Sequence, residues 1–255
     1  MHTKSFLICG LAAALLAVAG CETRSISNSG FQPHHYGGTR SQSSYRGELN
    51  EFEVLGVHRE TDRERGVTEE EIRQALDTAR RVKIKRGASV LLIQSGATFP
   101  DGPMVGELGK HFSVSPFSGV PPERGKPGSL TNNPVVTDFA RSLRLAAARG
   151  ANETIICYWG ILESGRQDLA TKTVSWVPVV SWVTPDQREH MRIRLKLAVI
   201  DVRTGNWNML SPEPFADTAI STRHLREQAD QNLVNRLKEQ AYEAAVRELL
   251  KACVD

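Results

Sequence analysis

The sequence predicts an α/β (α+β) fold in which a mixed, largely antiparallel-edged sheet of about five strands packs against two or three helices. The segment HMRIRLKLAVIDV (190–202) alternates apolar and basic residues, which is typical of a strand with one buried face. The runs ASVLLIQSG (88–96) and ETIICYWGILES (153–164) are short and largely apolar, as in buried strands. Residues 203–207, RTGNW, supply a tight turn to an antiparallel return strand, and a long helix is predicted over 221–252.

The first elements of the folded part precede the buried strands. FEVLGVH (52–58) is interpreted as a short strand. GVTEEEIRQALDTARR (66–81) predicts a helix, because Thr68 and Glu71 form a capping box at its start. One face of this helix stays apolar through Ile72, Leu76 and Ala79.

The middle of the chain alternates short elements with one long loop. MVGELGKHF (104–112) predicts a short helix and FSVSP (112–116) a further strand. Residues 116–134 form a loop rich in proline and glycine. A second well-marked helix follows, since Asn133 suits its N-cap and Gly150 its end.

The N-terminus predicts export. An uncharged apolar run, FLICGLAAALLAVAG (6–20), follows one lysine; it is too short to span a bilayer and has the length of a signal-peptide core. The stretch LAVAGC (16–21) resembles the lipobox of bacterial lipoproteins. That resemblance implies a lipoprotein signal peptide over residues 1–20 and a mature chain that begins at a fatty-acylated Cys21, with palmitate as a typical acyl group. The alternative is an ordinary secretory signal with an incidental cysteine.

Acylation of Cys21 would make the membrane a partner without adding a membrane span. Several acyl chains hold a protein stably at a bilayer, whereas one chain binds marginally. The second mature residue is Glu22 rather than the aspartate that favours retention at the inner membrane in enteric bacteria. We therefore expect a lipid-anchored protein of the cell envelope, on the inner leaflet of the outer membrane and facing the periplasm.

Composition predicts a tether between the lipid and the domain. Residues 22–48 are rich in Ser, Gly, Arg and Gln with few aliphatic side chains, so they cannot bury enough apolar surface to order themselves. We expect a flexible tether over 21–50 and a single α/β domain over 51–255. His34 and His35 lie in this tether without further ligands nearby, so no metal site is predicted.

The charge balance argues against nucleic acid as a partner. The chain carries a formal charge of +3, and loss of Lys4 with residues 1–20 reduces it to +2. A local basic stripe runs along the 190–202 strand through Arg192, Arg194 and Lys196. This stripe is interpreted as a solvated sheet face, with binding of an acidic partner as the alternative.

Two cysteines remain in the body of the mature chain, Cys157 and Cys253. In an oxidising compartment they are candidates for a disulfide, which would contribute about 4–5 kcal/mol in the chain-entropy model because the closed loop is long. The alternative is a pair of buried free thiols, since Cys157 lies in a predicted buried strand and free buried cysteine is common.

The segment VSWVPVVSW (174–182) is unusually apolar and places two tryptophans around a proline. The even spacing of Trp176 and Trp182 puts both indoles on one side of an extended chain. Two interpretations stay open: the indoles cover the domain's own core, or they form an exposed tip that contacts a protein or a membrane interface, where tryptophan is favoured. The candidate contact residues are Trp176, Val177, Val179 and Trp182.

Two stretches carry a resemblance to known envelope domains. ARGANETIICYWGILE (148–163) and RIRLKLAVIDVRTGNW (192–207) are similar to the core of the curli secretion-channel lipoproteins and of the TolB amino-terminal domain, including the turn at Asp201, Thr204 and Gly205. The resemblance implies a mixed sheet with packed helices. It also implies proteins that act as scaffolds, channels or activators without catalysis of their own.

The sequence contains no Gly-x-Ser-x-Gly, His-Glu-x-x-His, Gly-x-x-x-x-Gly-Lys or Cys-x-x-Cys motif. No catalytic residue, cofactor or metal is therefore predicted. The leading hypothesis is a non-catalytic scaffold, assembly or regulatory lipoprotein with an envelope protein as its partner. An envelope hydrolase acting on peptide or glycan and a subunit of an oligomeric secretion channel are the alternatives, and the sequence does not determine the oligomeric state.

Overall fold

Two long antiparallel strands form the axis of the structure, a computed structural model. These are β4 (Thr154–Gln167) and β5 (Arg188–Asp201), which pair over their whole lengths from Thr154↔Asp201 to Gln167↔Arg188. The residues that the structure describes are 22–29, 45–57, 67–122, 139–167, 188–220 and 226–254.

Each long strand pairs with two short strands in succession along its outer edge. On β4, β2 (Ser89–Gln94) runs parallel to the first half and β1 (Glu22–Ser25) antiparallel to the second half. On β5, β6 (Trp207–Leu210) and β7 (Phe215–Ile220) both run antiparallel. The remaining strand, β3 (Ser113–Phe117), is parallel to β2 at the edge. The predicted mixed sheet is confirmed, and its described part has seven strands rather than about five because β4 and β5 each serve two partners.

Helices cover both faces of the sheet. Helices α3 (Gly102–Gly109) and α5 (Arg226–Cys253) pack on one face. Helices α1 (Glu51–Val54) and α4 (Phe139–Arg149) pack on the other. The remaining described helix, α2 (Glu69–Thr78), buries no residue. The arrangement confirms the predicted α/β class.

The period-2 alternation of the long strands divides the core into two layers. The larger layer contains Ile156, Tyr158 and Leu162 of β4 with the odd-numbered apolar residues of β5, and α5 covers it through Leu233, Leu237, Tyr242 and Leu249. The smaller layer contains Ile155, Cys157 and Trp159 of β4 beneath α1 and α4. Both faces of β4 are therefore buried along the first half of the strand.

Two predicted elements near the start of the domain, 52–58 and 66–81, differ in part from the structure. FEVLGVH (52–58) is not a strand: its first residues lie in α1, because Asn50 Oδ1 accepts a hydrogen bond from the Phe52 N–H at 2.9 Å and starts a helix. The capping box of α2 is confirmed. Its apolar face, however, remains in solvent among the described residues, with Ile72 44% and Leu76 72% exposed.

The described residues at the two ends of the predicted tether, 22–29 and 45–50, lie against the domain. Residues 22–25 form β1, and Ile26 behind it is 2% exposed in the larger core layer. A Cβ at Gly160 would lie 2.6 Å from Ile26 Cδ1, so only glycine on β4 leaves room for this side chain. At the other end, Leu49 is buried in the smaller layer. The average composition of the segment did not predict this docking, because each end contains only one large buried aliphatic residue. One such residue is nevertheless enough to dock a short segment.

A buried polar network fixes the segment after β1. The Ser27 hydroxyl donates to the Ser95 carbonyl at 2.6 Å and accepts a hydrogen bond from Gln94 Nε2 at 2.9 Å. From α5, Lys238 Nζ donates to the Ile26 carbonyl at 3.2 Å and lies 2.8 Å from Asp101 Oδ2. These bonds satisfy polar groups that would otherwise be costly to bury, and they tie the N-terminal segment to the sheet and α5 together.

Two buried tyrosines in edge-to-face contact complete the network. Tyr158 donates to Gln94 Oε1 at 2.6 Å and Tyr242 donates to Asp101 Oδ2 at 2.5 Å. Their rings meet edge to face with centroids 5.8 Å apart. Burial raises the pKa of both tyrosines well above the ordinary value, so both hydroxyls are protonated at neutral pH and can donate these hydrogen bonds.

Replacing Ile26 with alanine tests whether the N-terminal segment belongs to the fold. We expect Ile26→Ala to lower the free energy of unfolding by about 2–4 kcal/mol, because it removes buried methyl groups and leaves a cavity over Gly160. Urea unfolding followed by circular dichroism measures this loss. Thr23→Ala on the exposed side of β1 is the matched control and should change stability by less than about 0.5 kcal/mol. Equal stabilities for the two variants would show that the segment is a tether after all.

Candidate functional site

A cleft opens where the edge of β5 changes partners. The ladder with β7 ends at Ile193 and the ladder with β6 begins at Leu197, so residues 194–196 have no strand partner on that edge among the described residues. Across from them the chain passes from β6 to β7 through Ser211, Pro212, Glu213 and Pro214. Two prolines in four residues prevent a continuous ladder, because proline has no N–H to donate.

The resulting space, here called the β5 cleft, has a volume of about 420 Å³. Trp159, Gly160 and Ile161 of β4 form one wall, residues 194–196 of β5 the next, and residues 211–214 the rim. Glu48 and Glu51 close it on the side of α1. The cleft therefore combines an apolar wall with acidic and basic side chains, a composition typical of binding sites.

The basic stripe of β5 is paired with carboxylates. Arg192 forms an ion pair with Glu163, and Arg194 Nη1 lies 3.5 Å from the other oxygen of the same carboxylate. Lys196 Nζ donates to Glu51 Oε1 at 2.7 Å. The three cations consequently have acidic neighbours on the sheet and on α1, which favours the interpretation of a sheet face over a site for an acidic partner.

The acidic side of the cleft is held in place by backbone contacts of the neighbouring residue. Trp159 Nε1 donates to the Leu49 carbonyl at 2.9 Å, and the Leu49 N–H donates to Ser95 Oγ at 2.8 Å. These two bonds fix the chain on either side of Leu49, and with it Glu48. Within the described structure, Glu48 Oε1 is buried and has no hydrogen-bond partner. A buried carboxylate oxygen without a donor is costly, so the Glu48 carboxylate leaves part of its hydrogen-bonding capacity unused at the wall of the cleft.

The sequence-predicted cysteines lie on opposite faces of the sheet. Cys157 is in the smaller core layer and Cys253 in the larger one, and both are free and buried. The candidate disulfide is therefore absent from the structure, because the sheet separates the two side chains, and the alternative of buried free thiols describes them. Burial in apolar surroundings raises the pKa of the Cys157 thiol far above its ordinary value, which makes it unreactive.

The other predicted site residues lie outside the described part of the chain. These are the lipid attachment site Cys21 and the candidate contact residues Trp176, Val177, Val179 and Trp182. Among the described residues, no three or more His, Cys, Asp or Glu side chains lie together so as to hold a metal ion.

Sequence reasoning missed the cleft because its walls come from separate parts of the chain. Glu48 lies in a segment whose composition predicted a tether, and nothing in the sequence indicates that Leu49 docks on Trp159. One signal was present: Ser-Pro-Glu-Pro at 211–214 interrupts an otherwise regular meander. A proline pair of this kind predicts that an edge changes partners, and such edges are places where sites form.

A mixed sheet covered by helices on both faces, with a charged cleft at an edge, defines an α/β domain. Comparison of the sequence with known families gives the more particular result. Residues 50–252 match the YafT bacterial lipoprotein family, and the chain belongs to this family. It is therefore a bacterial lipoprotein, a membrane-anchored protein of the cell envelope. Its described helices include none with the length and apolar character needed to cross a bilayer. No curated protein matches the sequence.

Two glutamates that pair with the basic stripe of β5 allow a matched test of its electrostatics. The Glu163 side chain is 12% exposed and faces two arginines, whereas the Glu51 side chain is 38% exposed and faces one lysine. We expect Glu163→Gln to lower the free energy of unfolding by about 1–3 kcal/mol, because it removes a mostly buried carboxylate that faces two arginines. Glu51→Gln should cost less than about 1 kcal/mol, because that pair is solvent-screened. Urea unfolding of both variants measures the difference, and equal costs would contradict it.

Proposed function

We propose that this lipoprotein is a non-catalytic scaffold or regulatory factor that binds an envelope protein through the β5 cleft. The observation that carries the proposal is the Glu48 carboxylate: it lines the cleft, and its Oε1 has no hydrogen-bond donor among the described residues, whereas the cations of the cleft are already paired. Such a cleft has capacity left for a positive charge, and a partner's lysine or arginine would form an ion pair with the Glu48 carboxylate.

The remaining features of the cleft favour a protein segment as the occupant. Trp159, Ile161 and the prolines of residues 211–214 offer apolar contact on both sides of Glu48. The edge of β5 at residues 194–196 lacks a strand partner in the described structure, which suits an extended chain laid alongside it. We therefore expect a partner segment that carries one basic residue between apolar ones.

We propose further that a fatty-acylated Cys21 anchors the protein in the inner leaflet of the outer membrane. Lipobox-like residues before Cys21 and membership of a lipoprotein family support it. The predicted contact through Trp176 and Trp182 belongs to the connection between β4 and β5, and it stays a prediction.

Mass spectrometry of the N-terminal tryptic peptide tests the anchor. Trypsin cleaves after Arg24, so the mature protein should release Cys21-Glu22-Thr23-Arg24. We expect this peptide to carry a diacylglyceryl group on sulfur and an acyl group on nitrogen, and we expect Cys21→Ser to abolish both additions. A wild-type peptide with a free thiol at Cys21 would refute lipid anchoring at this residue.

Site-specific photo-crosslinking in intact envelopes tests the cleft. A photoreactive amino acid in place of Ser211, on the rim, should give a discrete adduct with one envelope protein. We expect the adduct to decrease at least about tenfold with Glu48→Gln, since a charge-assisted hydrogen bond is lost. Glu153→Gln is the matched control, because Glu153 is exposed at the other end of β4, and it should leave the adduct unchanged. An adduct that is insensitive to Glu48→Gln would exclude this cleft as the binding site.

A further inference from the structure

We propose that one end of the sheet lies directly on the lipid headgroups of the membrane. This surface, here called the anchor end, consists of the start of β1, the end of β4, the start of β5 and the end of β7. The proposal rests on the acylation of Cys21 proposed above. It assigns an interaction surface and its partner, a phospholipid headgroup layer.

The register of β1 places the lipid attachment site. Glu22 pairs with Ser164 and Ser25 with Ile161, so β1 runs away from the anchor end as the chain proceeds. Cys21 directly precedes Glu22, and consecutive Cα atoms are about 3.8 Å apart. The acylated residue is consequently attached to the first paired residue of the sheet with no spacer between them, and the lipid surface lies within a few ångströms of this end.

The connection of β1 to the core makes this attachment rigid. Ile26 is buried over Gly160, and Ser27 and the Ile26 carbonyl are held by Gln94, Ser95 and Lys238. A swivel at the anchor would have to pull this side chain out of the larger core layer. The lipid therefore fixes the orientation of the whole domain, and does more than hold it near the bilayer.

The acyl chains on Cys21 would lie in the hydrocarbon of the bilayer, which places Cys21 at the level of the headgroups. Glu22, the next residue, already pairs with Ser164 in the sheet. The described strand ends at the anchor end are therefore held at the headgroup layer.

The opposite end of the sheet must then face away from the membrane. Ten residues of β5 separate Met191, at the level of Ser164, from Asp201, a distance of about 33 Å at 3.3 Å per residue. The basic segment 80–86 lies toward that far end, because the Val82 N–H and carbonyl bond to Asn208 and Ile84 bridges to Val254. This segment consequently faces the periplasmic side and is not a lipid-binding patch.

Depth-dependent quenching tests the orientation. Lipidated protein is reconstituted into vesicles of phosphatidylethanolamine and phosphatidylglycerol that contain a headgroup-nitroxide lipid. A fluorophore is attached to Ala216→Cys, exposed on β7 next to the anchor end, or to Arg203→Cys, exposed at the far turn. The native Cys157 and Cys253 are buried and are not labelled in the folded protein. We expect quenching at residue 216 to exceed that at residue 203 at least about threefold.

An insertion variant is the matched control. A Gly-Ser insert of about ten residues between Cys21 and Glu22 spans about 17 Å as a random coil and should remove the difference between the two labels while the protein still co-floats with the vesicles. Co-flotation of the parent protein with equal quenching at both labels would overturn the inference and leave the anchor intact. A parent protein that does not co-float would overturn the acylation of Cys21, and the inference with it.

Discussion

The structure depends on the docking of Ile26 into the space over Gly160. This one contact requires a glycine on the central strand, and it brings Ser27 within reach of Gln94 and Ser95. It also places a backbone carbonyl where Lys238 of α5 donates to it. Because the same network holds Asp101 and the two buried tyrosines, the N-terminal segment, the sheet and α5 are joined by one set of cooperative bonds.

The division of each long strand between two partners explains both surfaces that we describe. β4 and β5 are too long for the short strands beside them, so each edge has a change of partner near its middle. On β4 the change is filled from within the chain by Ile26. On β5 it is bridged by the proline-containing residues 211–214 and remains open as the cleft. The gap on β4 is thus filled by Ile26, whereas the gap on β5 stays open and has room for a partner.

The sequence predicted elements well and their assembly incompletely. Periodicity was sufficient for β2, β4 and β5, since burial on one or both faces determines the pattern of apolar residues along a strand. The capping box was sufficient for α2, which buries no residue. Periodicity failed at the N-terminal segment, where one isoleucine inside a polar stretch decides the outcome. The candidate disulfide is absent for a related reason. The side of the sheet on which Cys157 and Cys253 lie depends on strand register and on contacts between residues far apart in the chain. The cleft likewise forms where Glu48, Trp159 and residues 211–214 come together. Because these residues are far apart in the chain, no local sequence pattern predicts their proximity.

The positions of the anchor end and the cleft are linked by the register of β4. Ile161 and Trp159, in the wall of the cleft, lie three and five residues from Ser164, which pairs with the first residue after Cys21. At about 3.3 Å per residue the cleft opens about 10–17 Å above the level of the anchor. A rigid attachment keeps that height constant, whereas a long tether would let it vary by the reach of the tether. The proposed partner would therefore present its segment at this fixed height above the membrane. Membrane-bound proteins with a short stalk have this property, whereas freely diffusing proteins do not. Under the anchoring proposed above, a rigid attachment would favour partners held in the same membrane, because it would align the cleft with them and raise their effective concentration there.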